Sequence, residues 1–411
     1  MSGPQPGSTN GDTAQGFADL PVGPLSGLLV ADFSRVLAGP LATMTLADLG
    51  ARVIKVERPG GGDDTRSWGP PYSPTGVTYF ESANRNKESV CLDLADAEDL
   101  QQARELARRA DVLVENFKPG GMAKLGMGYA DLSAANPGLV YASITGFGSA
   151  GGANLMGYDF IVQALGGLMS ITGENDGSPT KVGVALVDVL TAKDTTIGIL
   201  AALAARNVSG RGAHLELNLL SSLQGALANQ GQAFLGAGQV PHRMGSAHPS
   251  IVPYQLLQCA DAPLAVACGN DGQFAQLAQV LGVPGLAGDP RFATNNARVE
   301  HRAQLIPLLE EALSASSALI WQDKLIDAGV PAGHVAGIDE GIQYAESLGL
   351  EPTIEVRNAA GQPAGRQIRH PISWTPAFAA PAAAPPSLGE HSHTVRAWLA
   401  DATPSAGPAR G

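Results

Sequence analysis

The sequence predicts an α/β fold built on a mostly parallel sheet with helices packed over it. Short apolar runs alternate with helix-length segments from residue 28 onward, and glycines stand where run and helix meet. Composition agrees: 411 residues with 44% hydrophobic side chains can bury a large core, spread over two or three domains.

Taken in order, residues 28–33 (LLVADF) have the look of a buried strand, followed by a turn at Gly39 and Pro40 and a helix to about Leu49. After Gly50, residues 52–57 (RVIKVE) form a second strand. A helix from about Asp96 to Arg109 sets Leu100, Ala103, Leu106 and Ala110 near one face, with Asp96 placed to cap it. Strands are predicted at 112–114 and 139–145, and helices of small and apolar residues at 158–170 and 193–206. His214 to Leu219 alternates polar and apolar, the period of a half-buried strand. Segment 221–238 is again helical, and a region from about 245 to 330 has its own strand at 264–268 and three helical patterns. Short strands return over about 334–374. Residues 375–387 (TPAFAAPAAAPPS) make a surface arm ahead of a last short helix.

Composition also excludes. The 51 Gly and 29 Pro together stay below the ~25–30% that marks low-complexity chains. A net charge of −12 argues against nucleic acid as a partner, so a phosphate-bearing ligand would need a local basic pocket. Three cysteines, at 91, 259 and 268, make no disulfide framework or zinc site, which suits a reducing cytoplasm. The first 20 residues hold no Lys or Arg and read as a disordered tail rather than a targeting segment. Leu217 to Pro241 carries no charge, but its Asn, Gln and Ser residues point to a buried helix and not a membrane span.

Residues 146–151, GFGSAG, match G-x-G-x-x-G. The match falls after several β/α units and runs into Gly152 and Asn154 before any helix begins. The first βα turn, where a dinucleotide fingerprint belongs, reads VLAGP. A dinucleotide site is therefore not predicted. The eight histidines form no metal-spaced pair, and His391 and His393 read as solvated tail residues. Cys259 and Cys268 read as packing beside a strand. What stands out is acid in charge-poor segments: Asp159 in GYDFIVQALGG and Asp188 in KVGVALVDVL. A carboxylate among Val, Ala and Leu is costly to bury ionised unless it is hydrogen-bonded or used. From pattern alone Asp188 is either the N-cap of the following helix or a nucleophile or general base.

In chain order, DFSRVLAGP (32–40), DLGARVIKVERPGGGDDTR (48–66), NRNKESVCLDL (84–94), ADVLVENFKPG (110–120), GYDFIVQALGG (157–167), GRG (210–212), GVPAGHV (329–335) and LGEHS (388–392) resemble the family III CoA-transferases. This is the CaiB/BaiF family, whose fold is shared with formyl-CoA transferase and the α-methylacyl-CoA racemases. The resemblance covers about 25–400. It implies a Rossmann-like large domain and a smaller α/β domain, in an interlocked homodimer with the active site between the two domains.

By the same resemblance Asp188 is the nucleophile, passing CoA from donor to acceptor through mixed anhydrides and an aspartyl–CoA thioester. CoA and acyl-CoA are then substrates, and no tightly bound cofactor or metal is called for. Val36 and Ala38 correspond to the backbone turn under the CoA, Arg58 to the arginine at its adenosine end, and Lys87, Asn116, Phe117, Lys124 and Tyr158 to positions along the nucleotide and pantetheine. RMGSAHPSIVPYQ (243–255) and CGNDGQF (268–274) look like the subgroup that moves CoA from succinyl-CoA to small dicarboxylates. Arg243, His248 and Ser250 are the candidates for the acceptor's distal carboxylate, against the plainer reading that Arg243 is a surface residue and His248 shapes its loop.

The expected organisation is a tail over 1–24, the large domain over 25–220, a linker helix at 221–244, the small domain at 245–330, and a return to the large domain with a C-terminal arm over 331–411. A racemase is the enzymatic alternative. Its acid–base histidine ahead of the Asp is Tyr158 here, a poor proton shuttle near neutral pH. A non-catalytic acyl-CoA-binding relative is the other alternative.

Overall fold

The computed structural model describes residues 23–378 and 381–401, so the predicted tail lies almost wholly outside the described residues. The chain divides into two compact units.

The first unit holds residues up to Val162, Ala185–Ala226 and the chain from Glu351. Its centre is a six-stranded sheet of β1 (Leu29–Phe33), β2 (Arg52–Glu57), β3 (Lys87–Cys91), β4 (Val112–Glu115), β5 (Val140–Thr145) and β6 (His214–Asn218). All neighbours pair in parallel, in the order β3-β2-β1-β4-β5-β6. That is the order of a doubly wound sheet, in which the strand order reverses between β1 and β4 and opens a crevice at their carboxyl ends. The β2 strand is where RVIKVE placed it. β3 was not anticipated, because KESVC is too polar to read as a strand.

Four helices matter for the site and its support. α1 (Ala38–Asp48) follows β1 through a tight turn; a Cβ on Gly39 would sit 2.3 Å from Ser34, so only glycine lets helix and turn approach. α2 (Ala97–Arg109) is capped by Asp96, which accepts from the Glu98 and Asp99 N–H groups, and it buries Ala103, Leu106 and Ala107. α3 (Asp159–Leu165) is shorter than predicted and gives way to Gly166 and Gly167, the latter at φ +94. α4 (Leu186–Ser209) starts a full turn or more before the expected position and ends on left-handed Gly210.

The second unit holds Gln163–Val184 and Leu227–Leu350. Its sheet is antiparallel, with β7 (Tyr254–Gln258), β8 (Pro263–Ala267) and β9 (Ala332–His334) in the order β9-β8-β7. A separate core contains Leu257, Leu264, Phe274, Leu309 and Trp321. This corrects the expected boundary at 330: Ala332 pairs with Val266 in the small sheet, so the return to the first unit comes after Leu350. The single linker helix over 221–244 is also corrected. Helices Leu219–Ala226 and Ala228–Ala237 replace it, broken where Ala228 adopts φ +43.

The C-terminal segment is not a free arm. Ala383 bridges Arg357 and accepts from the Asn86 N–H, and the N–H of Ser89 donates to His391 Nδ1 at 3.2 Å. His391 is thus a structural acceptor rather than the solvated tail residue expected. The final helix, α5 (Ser392–Ala400), packs Val395 and Leu399 into the main core.

Candidate active site

The carboxyl ends of β1, β4 and β5 converge on a crevice of about 220 Å³ in the first unit. Buried acids shape its floor by holding backbone N–H groups. Ser34 N–H donates to Asp32 at 3.0 Å, and Phe117 N–H donates to Glu115 at 2.7 Å. Val36 adopts φ +71, unusual for a β-branched residue, and its N–H faces both oxygens of Asp63 at 3.3 Å. Asn116 clasps the backbone of Arg35, accepting from its N–H at 2.9 Å and donating to its carbonyl at 2.8 Å. β1 and β4 are therefore tied together where the sheet reverses. The loop after β5 completes the wall: Gly148 N–H donates to Thr145 Oγ1, and Gly146 meets Gly157 so closely that a Cβ would lie 2.3 Å away. The glycine motif serves this crevice wall, with no helix opening on it.

Under the floor lies a compensated set of charges. Asp32 is fully buried and accepts from Lys87 Nζ at 3.0 Å and Thr43 Oγ1 at 2.7 Å, with Ser34 as a further donor. Burial alone would raise its pKa, but Lys87, Lys55 and the two hydroxyls outweigh that and bring it down to about 2. Lys55 Nζ bridges Asp63 at 2.9 Å and the Ser34 carbonyl at 2.9 Å.

Asp188 stands in the opposite condition. The N-cap of α4 is Ala185, so Asp188 is not the cap but the third residue of the first turn, half-buried and lining the crevice. The capping carboxylate comes from Asp159, whose Oδ2 accepts from Val187 N–H at 2.7 Å and from Asp188 N–H at 3.3 Å. Burial and the nearby Asp159 charge push the Asp188 carboxyl up to about 7. The fields of both acids also act on Tyr79, which burial first of all pushes to about 12.

Most of the anticipated ligand residues gather here. Val36, Ala38, Asn116, Phe117 and Tyr158 line the crevice with Asp188. Arg58 lines a second crevice of about 310 Å³, which shares Arg35 and Phe117 with the first. Two anticipated lysines line neither crevice. Lys87 is turned inward, its ammonium held by Asp32, the Pro40 carbonyl and Asn84, where it supports the floor. Lys124 ends the short helix Gly121–Lys124, is exposed, and lines neither crevice.

Three lining or nearby residues were missed: Arg35, Lys118 and Tyr79. Arg35 donates to Asp64 at 2.9 Å, the carboxylate to which the anticipated Arg58 also donates at 2.7 Å, and Lys118 lines the first crevice. Arg35 lies inside the quoted DFSRVLAGP and could have been picked out; Tyr79 carries no sequence signal.

Arg243, His248 and Ser250 belong to the second unit. Arg243 Nε donates to the Glu174 carbonyl at 3.3 Å. His248 stacks on Tyr254 with ring centroids 5.2 Å apart, and its Nδ1 accepts from the Ser250 N–H at 3.0 Å, which leaves Nε2 to carry the proton of the neutral ring. Cys268 is buried and its thiol is pushed up to about 12, so it is no nucleophile. Among the described residues, no group of three or more His, Cys, Asp or Glu could hold a metal ion, and no helix is long and apolar enough to cross a membrane.

Residues 25–392 match the sequence model of CoA-transferase family III. A succinate–glutarate CoA-transferase of Agrobacterium fabrum is 43% identical over 393 residues, covering 92% of this chain and 96% of that protein. The succinyl-CoA:glutarate CoA-transferase of Mus musculus is 40% identical, covering 90% of this chain and 85% of its own. Among solved structures, a CaiB/BaiF family protein from Brucella suis superposes with a TM-score of 0.82 at 43% identity, covering 92% of this chain and all of that one.

Proposed function

The chain belongs to CoA-transferase family III and is an enzyme, and on that premise we propose that it moves CoA from succinyl-CoA to a small dicarboxylate by way of Asp188. The observation that carries the reading is the state of that carboxylate. It lines the crevice at the point where the strand order reverses, accepts no hydrogen bond from the described residues, and is pushed up to about 7 by burial and the nearby Asp159 charge. A carboxylate so poorly stabilised is a stronger nucleophile than one held by donors.

The Asp188 carboxylate attacks the donor carbonyl carbon, the C–S bond breaks, and CoA leaves as the thiolate from a mixed anhydride. The thiolate then attacks the aspartyl carbonyl, releasing succinate and leaving an aspartyl–CoA thioester. The acceptor carboxylate attacks that thioester and frees the thiolate again. Attack of the thiolate on the acceptor's acyl carbon gives the new CoA ester and returns Asp188 as carboxylate. Because the anhydrides hydrolyse readily, the partial burial of Asp188 matters for excluding water.

The crevice suits the CoA end of the substrate. The Val36–Ala38 turn and Asn116–Phe117 would carry the pantetheine, and Arg58 with Arg35 and Lys118 would supply local positive charge on a chain whose net charge is −12. CoA is a substrate in this scheme, with no tightly bound cofactor. We assign the acceptor's distal carboxylate to Arg243, His248 and Ser250, and the chain to the cytoplasm as an interlocked homodimer. Exposed apolar side chains on and before α3 (Leu155, Met156, Phe160, Leu165) favour a protein surface covering them.

The test is a matrix of acyl-CoA donors against carboxylate acceptors, with the CoA esters separated chromatographically. Succinyl-CoA with a C4–C6 dicarboxylate should give the highest turnover, and Asp188→Ala should lose on the order of 10³-fold or more in kcat. Undiminished transfer by that variant would overturn the nucleophile assignment.

A further inference from the structure

We propose that Asp159 is a positioning residue: it occupies the N-terminal N–H groups of α4 so that the neighbouring Asp188 carboxylate is left without them and stays reactive. The proposal rests on Asp188 being the nucleophile.

A helix start is ordinarily a sink for negative charge. Its first N–H groups lack partners within the helix and its dipole favours an anion there. With Ala185 as N-cap, Asp188 is the third helical residue, the position from which an acidic side chain can fold back onto the N-cap N–H. An acid engaged in that way is stabilised, weakly basic and weakly nucleophilic. Here the cap side chain is only a methyl group, and the two N–H groups that a capping side chain would have met have gone elsewhere. Oδ2 of Asp159, from the first turn of α3, takes Val187 N–H at 2.7 Å and Asp188 N–H at 3.3 Å. Asp188 is thereby directed into the crevice instead of onto its own backbone.

Charge acts in the same sense. Asp159 is the charged group whose field raises the Asp188 carboxyl, second only to burial. The other titratable group coupled to Asp188 is Tyr79, from the short helix Thr78–Glu81, and it is neutral over the working range. Arg35, Asp64 and Lys118 line the same crevice. One side chain thus satisfies the backbone and at the same time destabilises the neighbouring anion.

The experiment follows formation of the aspartyl–CoA thioester on the Asp188 peptide, by rapid quench of the full-length enzyme with succinyl-CoA and mass spectrometry, between pH 5 and 9. In the native enzyme the rate should fall as pH drops through about 7, because the protonated carboxyl cannot attack. Asp159→Asn retains an oxygen acceptor for the helix N–H groups but removes the charge. Its acid limb should move down by about one pH unit or more. Its plateau rate should fall about tenfold, with the KM for succinyl-CoA changed less than about threefold. Asp159→Glu keeps the charge and should keep the native limb. A limb that stays near 7 in Asp159→Asn would overturn the proposal while leaving the nucleophile in place. Absence of any adduct on Asp188 in the native enzyme would instead remove the function on which it rests.

Discussion

Asp32 and Asp188 are both acids set among apolar residues of the first unit, yet their surroundings drive them to opposite ends of the carboxylate range. Asp32 has two lysines and two hydroxyls around it and falls to about 2. Asp188 has burial and a second acid, and rises to about 7. Burial raises both; the difference is entirely in the company. The lesson is that an acid in an apolar segment announces nothing until its donors are counted. Asp32, fully satisfied, sets the shape of the β1–α1 turn, whereas the first N–H groups of the helix that carries Asp188 are taken by Asp159.

The contrast can be broken by experiment. Its largest expected effect lies at the compensated site. Lys87→Met leaves Asp32 buried without its closest cation and should cost about 3–5 kcal/mol, read as a fall in the urea midpoint. A loss below about 1 kcal/mol would mean that Lys55 alone suffices.

The next effect has the opposite sign. Asp188 ionises from about pH 4 in the unfolded chain but only near 7 in the fold, so stability is lost as pH rises between those values. Asp188→Asn should therefore gain on the order of 1–3 kcal/mol at pH 8 and nothing near pH 4, in paired thermal unfolding scans. Equal gains at both pH values would show that packing and not ionisation is responsible. For Asp32 the direction is reversed: its lowered pKa gives stability that is complete above about pH 4 and is lost as pH falls through about 2. The smallest effect is that of Thr43→Val, which removes one of several donors to Asp32 and should cost about 1 kcal/mol without altering transfer.

Much of the first unit was legible in the sequence because its strands are uninterrupted apolar runs bounded by glycine, as RVIKVE shows, and because Asp96 caps α2 by a purely local rule. Local rules fail where a distant partner decides. KESVC becomes a strand because β2 pairs with it along five residues, and Lys87 turns inward because Asp32, 55 residues earlier, is there to meet it. The same holds for β9, which only its pairing with β8 assigns to the small sheet. Asp188 could be singled out as an acid in an apolar setting, but that the cap of its helix is supplied from Asp159, 29 residues away, could not be read locally. Nothing in the short helix around Tyr79 marks it as a neighbour of these acids.

The way β3 is finished has a consequence for biosynthesis. As the outer strand of the sheet it has one row of backbone groups that β2 cannot meet. That row is satisfied from the far end of the chain: Ser89 exchanges hydrogen bonds with His391, Cys91 N–H donates to Ser392 Oγ, and Asn86 is met by Ala383. The pairs are separated by about three hundred residues, as in the 302 between Ser89 and His391. A nascent chain therefore carries an open sheet edge until most of the protein has left the ribosome, and an open edge invites pairing with other chains. Truncation within the last fifteen described residues should accordingly show first as poor yield of soluble protein, even though Asp188 and its crevice lie elsewhere.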